Sequence, residues 1–184
     1  MVTIQIIIFV VGTILIVWVS RSSLQNTQSH GFYRFFAWEI ILIMFVLNIR
    51  YWFIDPLSMS QIIAWILLII SLVLIIMGVR HFRKKGSIDR KREDPSLVGI
   101  EKTTELVTSG VYHYIRHPFY CSLLCLGWGI FFKQTTWLSA FLVVAATIFL
   151  VLTAKKEEDE NIEYFGEEYI DYMQNTKMFI PYIL

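Results

Sequence analysis

Two short blocks hold the residues that could do chemistry in this chain. The first, VYHYIRHPFYCSLL at 111–124, gathers Tyr112, Arg116, His117 and Tyr120 where an apolar run begins. The second, KKEEDENIEYFGEEYIDYMQ at 155–174, sets Glu157, Glu158, Asp159 and Glu160 directly after another apolar run. Proline is tolerated in the first turn of a helix, so a helix starting near Pro118 leaves Arg116 and His117 at its mouth. Free amide hydrogens and the helix dipole add to these two side chains, a setting that suits a carboxylate or phosphate. A second reading fits the same residues: a basic anchor reaching lipid headgroups, with the tyrosines in the interfacial belt. Upstream, the amides of a turn at Ser109-Gly110 can hold a polar ligand edge. The ring of Tyr112 can hold a flat heterocycle or a sulfonium cation. An acidic run such as 157–160 is ordinarily a solvated face, but one or two of its carboxylates can turn into a shared pocket.

The elements that must position these groups are membrane helices. The 184 residues are 56% hydrophobic, 16% aromatic and only 17% charged, with a mean hydropathy of +0.58, far from soluble domains and within the range of polytopic membrane proteins. Nothing in this composition points to nucleic acid. A span takes roughly 20 apolar residues as a helix. Residues 2–20, 35–54 and 61–82 meet that length, and two further runs, 118–132 and 136–154, read as a helical hairpin about a KQT turn at Lys133. The expectation is an all-α chain of about five transmembrane helices forming one membrane domain over 1–184. Three N-terminal spans occupy 1–83, a basic loop and candidate binding segment 84–117, the hairpin 118–154 and a helical tail 155–184. The first run is too long for a signal-peptide core and lacks a basic start, so it reads as a retained span. Cys121 and Cys125 share a helix face without disulfide pairing geometry and read as small packing residues, with no metal expected.

Charge orients the spans. Residues 80–94 hold seven Lys/Arg against three acids, including Arg80, Arg83, Lys84, Lys85, Arg90, Lys91 and Arg92, whereas residues 155–177 hold three Lys against eight acids. The positive-inside rule puts the basic loop in the cytoplasm, along with the loop bearing Arg21 and Arg34 and the tail from Lys155. The N-terminus, the link at Asp55-Pro56 and the KQT turn then lie outside. The two long polar segments therefore meet on one side. In the tail, Glu158, Ile162, Phe165, Tyr169 and Met173 recur at helical spacing. Gly166 reads as a stop, with Glu167 and Glu168 starting a new helix. The closing MFIPYIL is expected to lie back on the membrane face. Within the spans, Glu39 and Arg50 are expected to snorkel to opposite interfaces, and Asn48 is costly in lipid.

ELVTSGVYHYIRHPFY (105–120) and EEDENIEYFGEEYIDYM (157–173), followed by Pro181, together resemble the isoprenylcysteine carboxyl methyltransferase family, related to the phospholipid N-methyltransferases. The resemblance covers roughly residues 100–182. It implies an integral membrane enzyme using S-adenosylmethionine, with the cofactor pocket on the cytoplasmic side. Carried over, Leu106 and Val107 offer backbone contacts, while Tyr112, His117, Pro118 and Tyr120 line the pocket beside the Gly110 turn and Arg116. Glu157 or Glu158 closes it, and Glu157 is the candidate base for an acceptor that carries a proton. The implied partner is a lipophilic acceptor reached from the bilayer among membrane lipids. The chain's compact length points to a prokaryotic plasma membrane.

Two positions depart from that family. Where it carries an arginine four residues before the tail glutamate, this chain has Thr153, and where a histidine commonly precedes the Leu-Val it has Thr104. The first change leaves the acceptor open among a prenylcysteine carboxylate, a phospholipid amine and a small apolar molecule. Membrane sterol reductases, which bind a nicotinamide cofactor, share Arg-His-Pro-x-Tyr but resemble Asn-Tyr-x-Gly-Glu after the proline. Here Phe119-Tyr120-Cys121-Ser122-Leu123 stands instead. A non-enzymatic scaffold is the third alternative, and it leaves the spacing of two separate blocks without a reason.

Overall fold

The computed structural model describes residues 2–85 and 105–181, with the backbone alone for 81–85. Most of the basic loop and Thr104 lie outside the described residues. The described residues form six helices: α1 Val2–Ser20, α2 His30–Asn48, α3 Met59–Lys85, α4 Pro118–Lys133, α5 Trp137–Phe165 and α6 Glu167–Asn175. The protein is an all-α polytopic membrane protein. α1, α2 with its following turn, α3 and α5 are long and apolar enough to cross a bilayer. α4, with 16 residues, reaches only about 24 Å of the roughly 30 Å hydrocarbon core. In contrast, α5 has 29 residues, about 43 Å, so a third of it extends beyond the core.

Local chemistry fixes the ends of the helices. Pro118 opens α4, where its missing N–H is no loss. Thr136 caps α5, its hydroxyl accepting from the Ser139 amide at 3.1 Å. Gly166 ends α5 at φ +63°, ψ −135°, a conformation that favours glycine, and Glu167 and Glu168 follow in the first turn of α6.

The bundle is built from two antiparallel pairs, α3 with α4 and α2 with α5, joined where α4 meets α5, while α1 lies on α2. Small residues allow α2 and α5 to approach closely: Ala37 on one, Ala146 and Ala154 on the other, all buried around Ile41, Met44 and Leu150. Gly129 does the same for α4 and α3, since a Cβ there would stand 3.0 Å from Leu68 and 3.3 Å from the Ala64 carbonyl. Most of the remaining apolar surface is exposed, as lipid-facing helices require.

Three expectations change. Glu39 does not snorkel: nine residues into α2, about 14 Å along it, it accepts a hydrogen bond from Thr13 of α1 at 3.0 Å. Lys133 is not in an exposed turn but is the last residue of α4, only 4% exposed, with its ammonium 3.5 Å from the Trp65 ring centroid and 2.9 Å from Gln61 Oε1. The turn proper is 134–136. The closing segment folds inward, with Phe179 buried in the main core, because its backbone finds hydrogen-bond partners in the loop before α4. Asn48 meets its need by donating to the Ile130 carbonyl at 3.2 Å.

Candidate functional site

The loop before α4 is held by its own apolar residues. Val107, Val111, Tyr112 and Ile115 form a small buried cluster against Leu74 of α3 and Phe119 of α4. The chain turns tightly over Gly110–His113, entered at Gly110 with φ +68°. The tail then pairs with the end of this loop. Lys177 N–H donates to the Tyr114 carbonyl at 3.2 Å, Arg116 N–H to Lys177 at 2.8 Å and His117 N–H to Met178 at 3.2 Å. Tyr172 of α6 adds a 2.6 Å bond to the Tyr112 carbonyl. His117 precedes a proline, which disfavours the helical region; its backbone, at φ −119° and ψ +63°, is neither helical nor extended, and its amide joins that pairing.

These contacts bring Arg116, His117 and Tyr120 against Glu157 and Glu158 of α5. Arg116 Nε donates to Glu158 Oε1 at 2.6 Å, and its Nη1 donates to the carbonyls of Thr176 at 2.6 Å and Met173 at 3.2 Å. His117 Nε2 stands 3.2 Å from the same carboxylate oxygen. A carboxylate can only accept, so the imidazole donates there. The His117 ring stacks on Tyr120, 5.4 Å between centroids, and the Tyr120 hydroxyl donates to Glu157. His117 Nδ1 is 3.8 Å from Glu157.

The two adjacent carboxylates differ in surroundings. Glu158 has a side chain only 8% exposed. Burial alone would raise its pKa, but hydrogen bonds and charge from His117 and then Arg116 outweigh that and hold the carboxyl below its usual range. Glu157 is 21% exposed, and its polar neighbours include Tyr120 and His117. Glu158 is thus an anchored counter-ion, and Glu157 is the more exposed of the two carboxylates. Of the other residues expected at the site, Val107, Tyr112 and Pro118 are buried, Leu106 is half-buried and Gly110 is exposed.

A second polar group, which the sequence did not single out, stands at the start of α2. His30 at the start of α2 donates its amide to Glu160 Oε1 at 2.8 Å, with its Nδ1 2.5 Å from Glu160 Oε2. Arg34, one turn on and 1% exposed, has Nη1 3.4 Å from His30 Nε2. Its guanidinium carbon lies 5.0 Å from the Trp38 ring centroid. The signal was present in the spacing, since His30 and Arg34 continue the buried stripe of Ala37, Ile41 and Met44. The charge count had assigned Arg34 to topology alone.

A family model described as phospholipid methyltransferase matches residues 59–168, from the start of α3 into α6. The chain belongs to this family. That match covers the whole first motif block and the second as far as residue 168, and places the chain with the methyltransferases rather than with the reductases that share part of the first block. Family relatives include a methanethiol S-methyltransferase of Pseudomonas deceptionensis, 25% identical over 152 residues, which cover 77% of this chain and 55% of that protein. Protein-S-isoprenylcysteine O-methyltransferase A of Arabidopsis thaliana is 31% identical over 117 residues, covering 61% and 58%. The corresponding Mus musculus protein is 36% identical over 87 residues, covering 44% and 29%. The likeness drawn from the two motif blocks is therefore borne out. The chain spans about half the length of the first curated relatives it matches. No solved structure matches it.

Proposed function

We propose that this chain is an S-adenosylmethionine-dependent membrane methyltransferase acting on a lipophilic acceptor. The observation that carries the reading is the meeting of His117 and Tyr120 with Glu157 and Glu158 at the mouth of α4, inside the family-matched region. The donor set fits the group: carboxylates and aromatic faces suit a sulfonium and an ammonium, and backbone amides near Gly110 suit the polar edges of a nucleoside. When bound, S-adenosylmethionine supplies an electrophilic methyl group on a positively charged sulfur.

The chain's own residues then have distinct tasks. Leu106, Val107, Gly110, Tyr112, Pro118 and Tyr120 would hold the cofactor beside His117. Glu158, with Arg116 fastening it to the tail, keeps His117 oriented. Glu157 takes the proton of an acceptor that carries one. Methyl transfer asks the protein mainly to align the reacting groups and to keep water out. The folded-in tail, which pairs with residues 114–117 and buries Phe179, supports the second of these. By the positive-inside rule the site faces the cytoplasm, with the N-terminus outside, in a membrane we take to be the prokaryotic plasma membrane.

Calorimetric titration of the purified chain in detergent tests the reading. S-adenosylhomocysteine is expected to bind and NADPH to give no heat, with His117→Ala weakening the former by about tenfold. Absence of heat with S-adenosylhomocysteine, or binding of NADPH in its place, would overturn it.

A further inference from the structure

The helical hairpin is shorter than the bilayer it has to cross. α4 has 16 residues, about 24 Å against a hydrocarbon core of roughly 30 Å. The uncharged stretch of α5, from Trp137 to Ala154, is about 27 Å long. The shortfall does not fall at the carboxylate end, because Lys155 and Asp159 are exposed there and need water. The opposite end, where α4 stops, has a different surface. Trp137 is 94% exposed, Leu57 85%, Phe53 78% and Met59 75%. These side chains share one end of the fold: Phe53 lies 6.1 Å from the Trp65 ring, Trp65 holds Lys133, and Trp137 follows across the turn 134–136. Residues 51–61 carry a single charge, Asp55, and residues 134–154 carry none. In water this would be an unburied apolar patch. Lys133 fits the same surroundings. A lysine at a helix end beside water keeps its ammonium hydrated, whereas this one is enclosed by Trp52, Trp65 and Gln61.

We infer that this end of the bundle, residues 52–59 with the first turn of α5, is an anchor seated in the leaflet opposite the carboxylate site. Phe53, Leu57, Met59 and Trp137 insert among lipid at the boundary between headgroups and acyl chains. The depth follows from the backbone. An irregular link exposes N–H and C=O groups that hydrocarbon does not satisfy, so it stops at the boundary, where tryptophan is also favoured. The leaflet is then drawn in by about 6 Å around α4, an ordinary response to a short span. α4 thereby meets water at its carboxylate end only, and Lys133 finds in rings and Gln61 what solvent does not supply. The anchor goes beyond the methyltransferase reading and does not depend on it.

The test uses the full chain in phosphatidylcholine vesicles, with Cys121→Ser and Cys125→Ser removing the native thiols. Leu57→Cys, Trp137→Cys and, as a reference at the carboxylate end, Asp159→Cys each receive an environment-sensitive fluorophore. The quenchers are iodide, present on both sides of the membrane, and lipids with a nitroxide either high or low on the acyl chain. Labels at 57 and 137 should be quenched about fivefold more by the high nitroxide than by iodide, and the label at 159 the reverse. Should the labelled variants fail to fold, Trp137→Phe in the unmodified chain should remove the tryptophan emission that the high nitroxide quenches most strongly. The Tm of the unmodified chain should be highest in thin dimyristoleoyl vesicles and lowest in thick dierucoyl ones. Iodide quenching at 57 and 137 equal to that at 159 would overturn the inference by placing the link in water. Stronger quenching by the low nitroxide would overturn it by placing the link in hydrocarbon. Protection from every quencher would do so by giving the surface to a second copy of the chain. Emission unchanged by Trp137→Phe, or a Tm independent of bilayer thickness, would equally count against it.

Discussion

At its first residue α4 meets a set of paired charges, and at its last a single cation boxed in rings. The first end draws on the loop before α4, on α5 and on the tail, and it contains two carboxylates, an imidazole and a guanidinium. The other end holds Lys133 between Trp65 and Trp52, with Gln61 and the Trp52 carbonyl as its hydrogen-bond partners and no carboxylate in ion-pair contact among the described residues. Gln61 closes the box by donating to the Lys133 and Tyr51 carbonyls at 3.1 and 2.9 Å. Both ends pair buried polar side chains, Lys133 with Gln61 at one and Glu158 with Arg116 and His117 at the other. They differ in that one keeps a partly exposed carboxylate and the other is closed by main-chain carbonyls and rings. A membrane helix can thus be polar at both ends and carry carboxylates at only one, and the difference lies in titratable partners rather than in polarity.

The contrast can be broken most severely at the charged end. Arg116→Ala should cost about 3–5 kcal/mol in thermal or denaturant unfolding, because it leaves buried Glu158 with His117 alone and the Met173 and Thr176 carbonyls without their donor. Retention of full stability would mean that the tail, not the ion pair, holds this end together. The same pair has a pH signature. Glu158 is held below its ordinary value of 4.5, so its contribution is fully present above that value and is lost as pH falls through the lower folded value. A Glu158→Gln variant should accordingly show a flatter acid limb in a stability-against-pH series, and an unchanged limb would assign acid sensitivity elsewhere.

Glu157→Gln sharpens the comparison within the charged end. Its unfolding should barely move, while methyl transfer to a proton-bearing acceptor falls about 100-fold. An equal loss of stability would make the two glutamates equivalent, against their different surroundings. At the closed end, Lys133→Met should cost about 1–2 kcal/mol through lost hydrogen bonds and ring contacts. S-adenosylhomocysteine binding should be unaffected, and weaker binding would show that the two ends communicate along α4. The smallest effect is expected at Gly166→Ala, about 1 kcal/mol of stability from forcing a side chain into a positive φ. Calorimetry on that variant should show nearly normal ligand affinity.

Much of the fold was legible. Long apolar runs, the proline at 118 and the glycine at 166 gave the helices and most of their ends, because backbone satisfaction in lipid leaves few options. The two motif blocks could be brought together by counting spans, which is a topological argument and needs no side-chain geometry. What escaped was depth and facing. Glu39 and Lys133 were read from their distance to a helix end, yet their partners, Thr13 and the tryptophan pair, come from other helices. Arg34 was counted as a loop charge because the start of α2 was set at 35 rather than at 30. Five residues of additional helix moved it from the membrane surface into the buried stripe.

The amino-acid sequence by itself determined that this is a bundle of membrane helices, where most of them start and stop, and which family its motif blocks belong to. Those features follow from local composition, from φ restrictions at proline and glycine, and from the absence of water in the bilayer. Only the tertiary structure decided that Glu158 is anchored while Glu157 is partly exposed, that the tail pairs with residues 114–117, and that His30 of α2 meets Glu160 of α5. Each of these depends on the register between segments far apart in the chain, set by packing of small residues and by long-range hydrogen bonds.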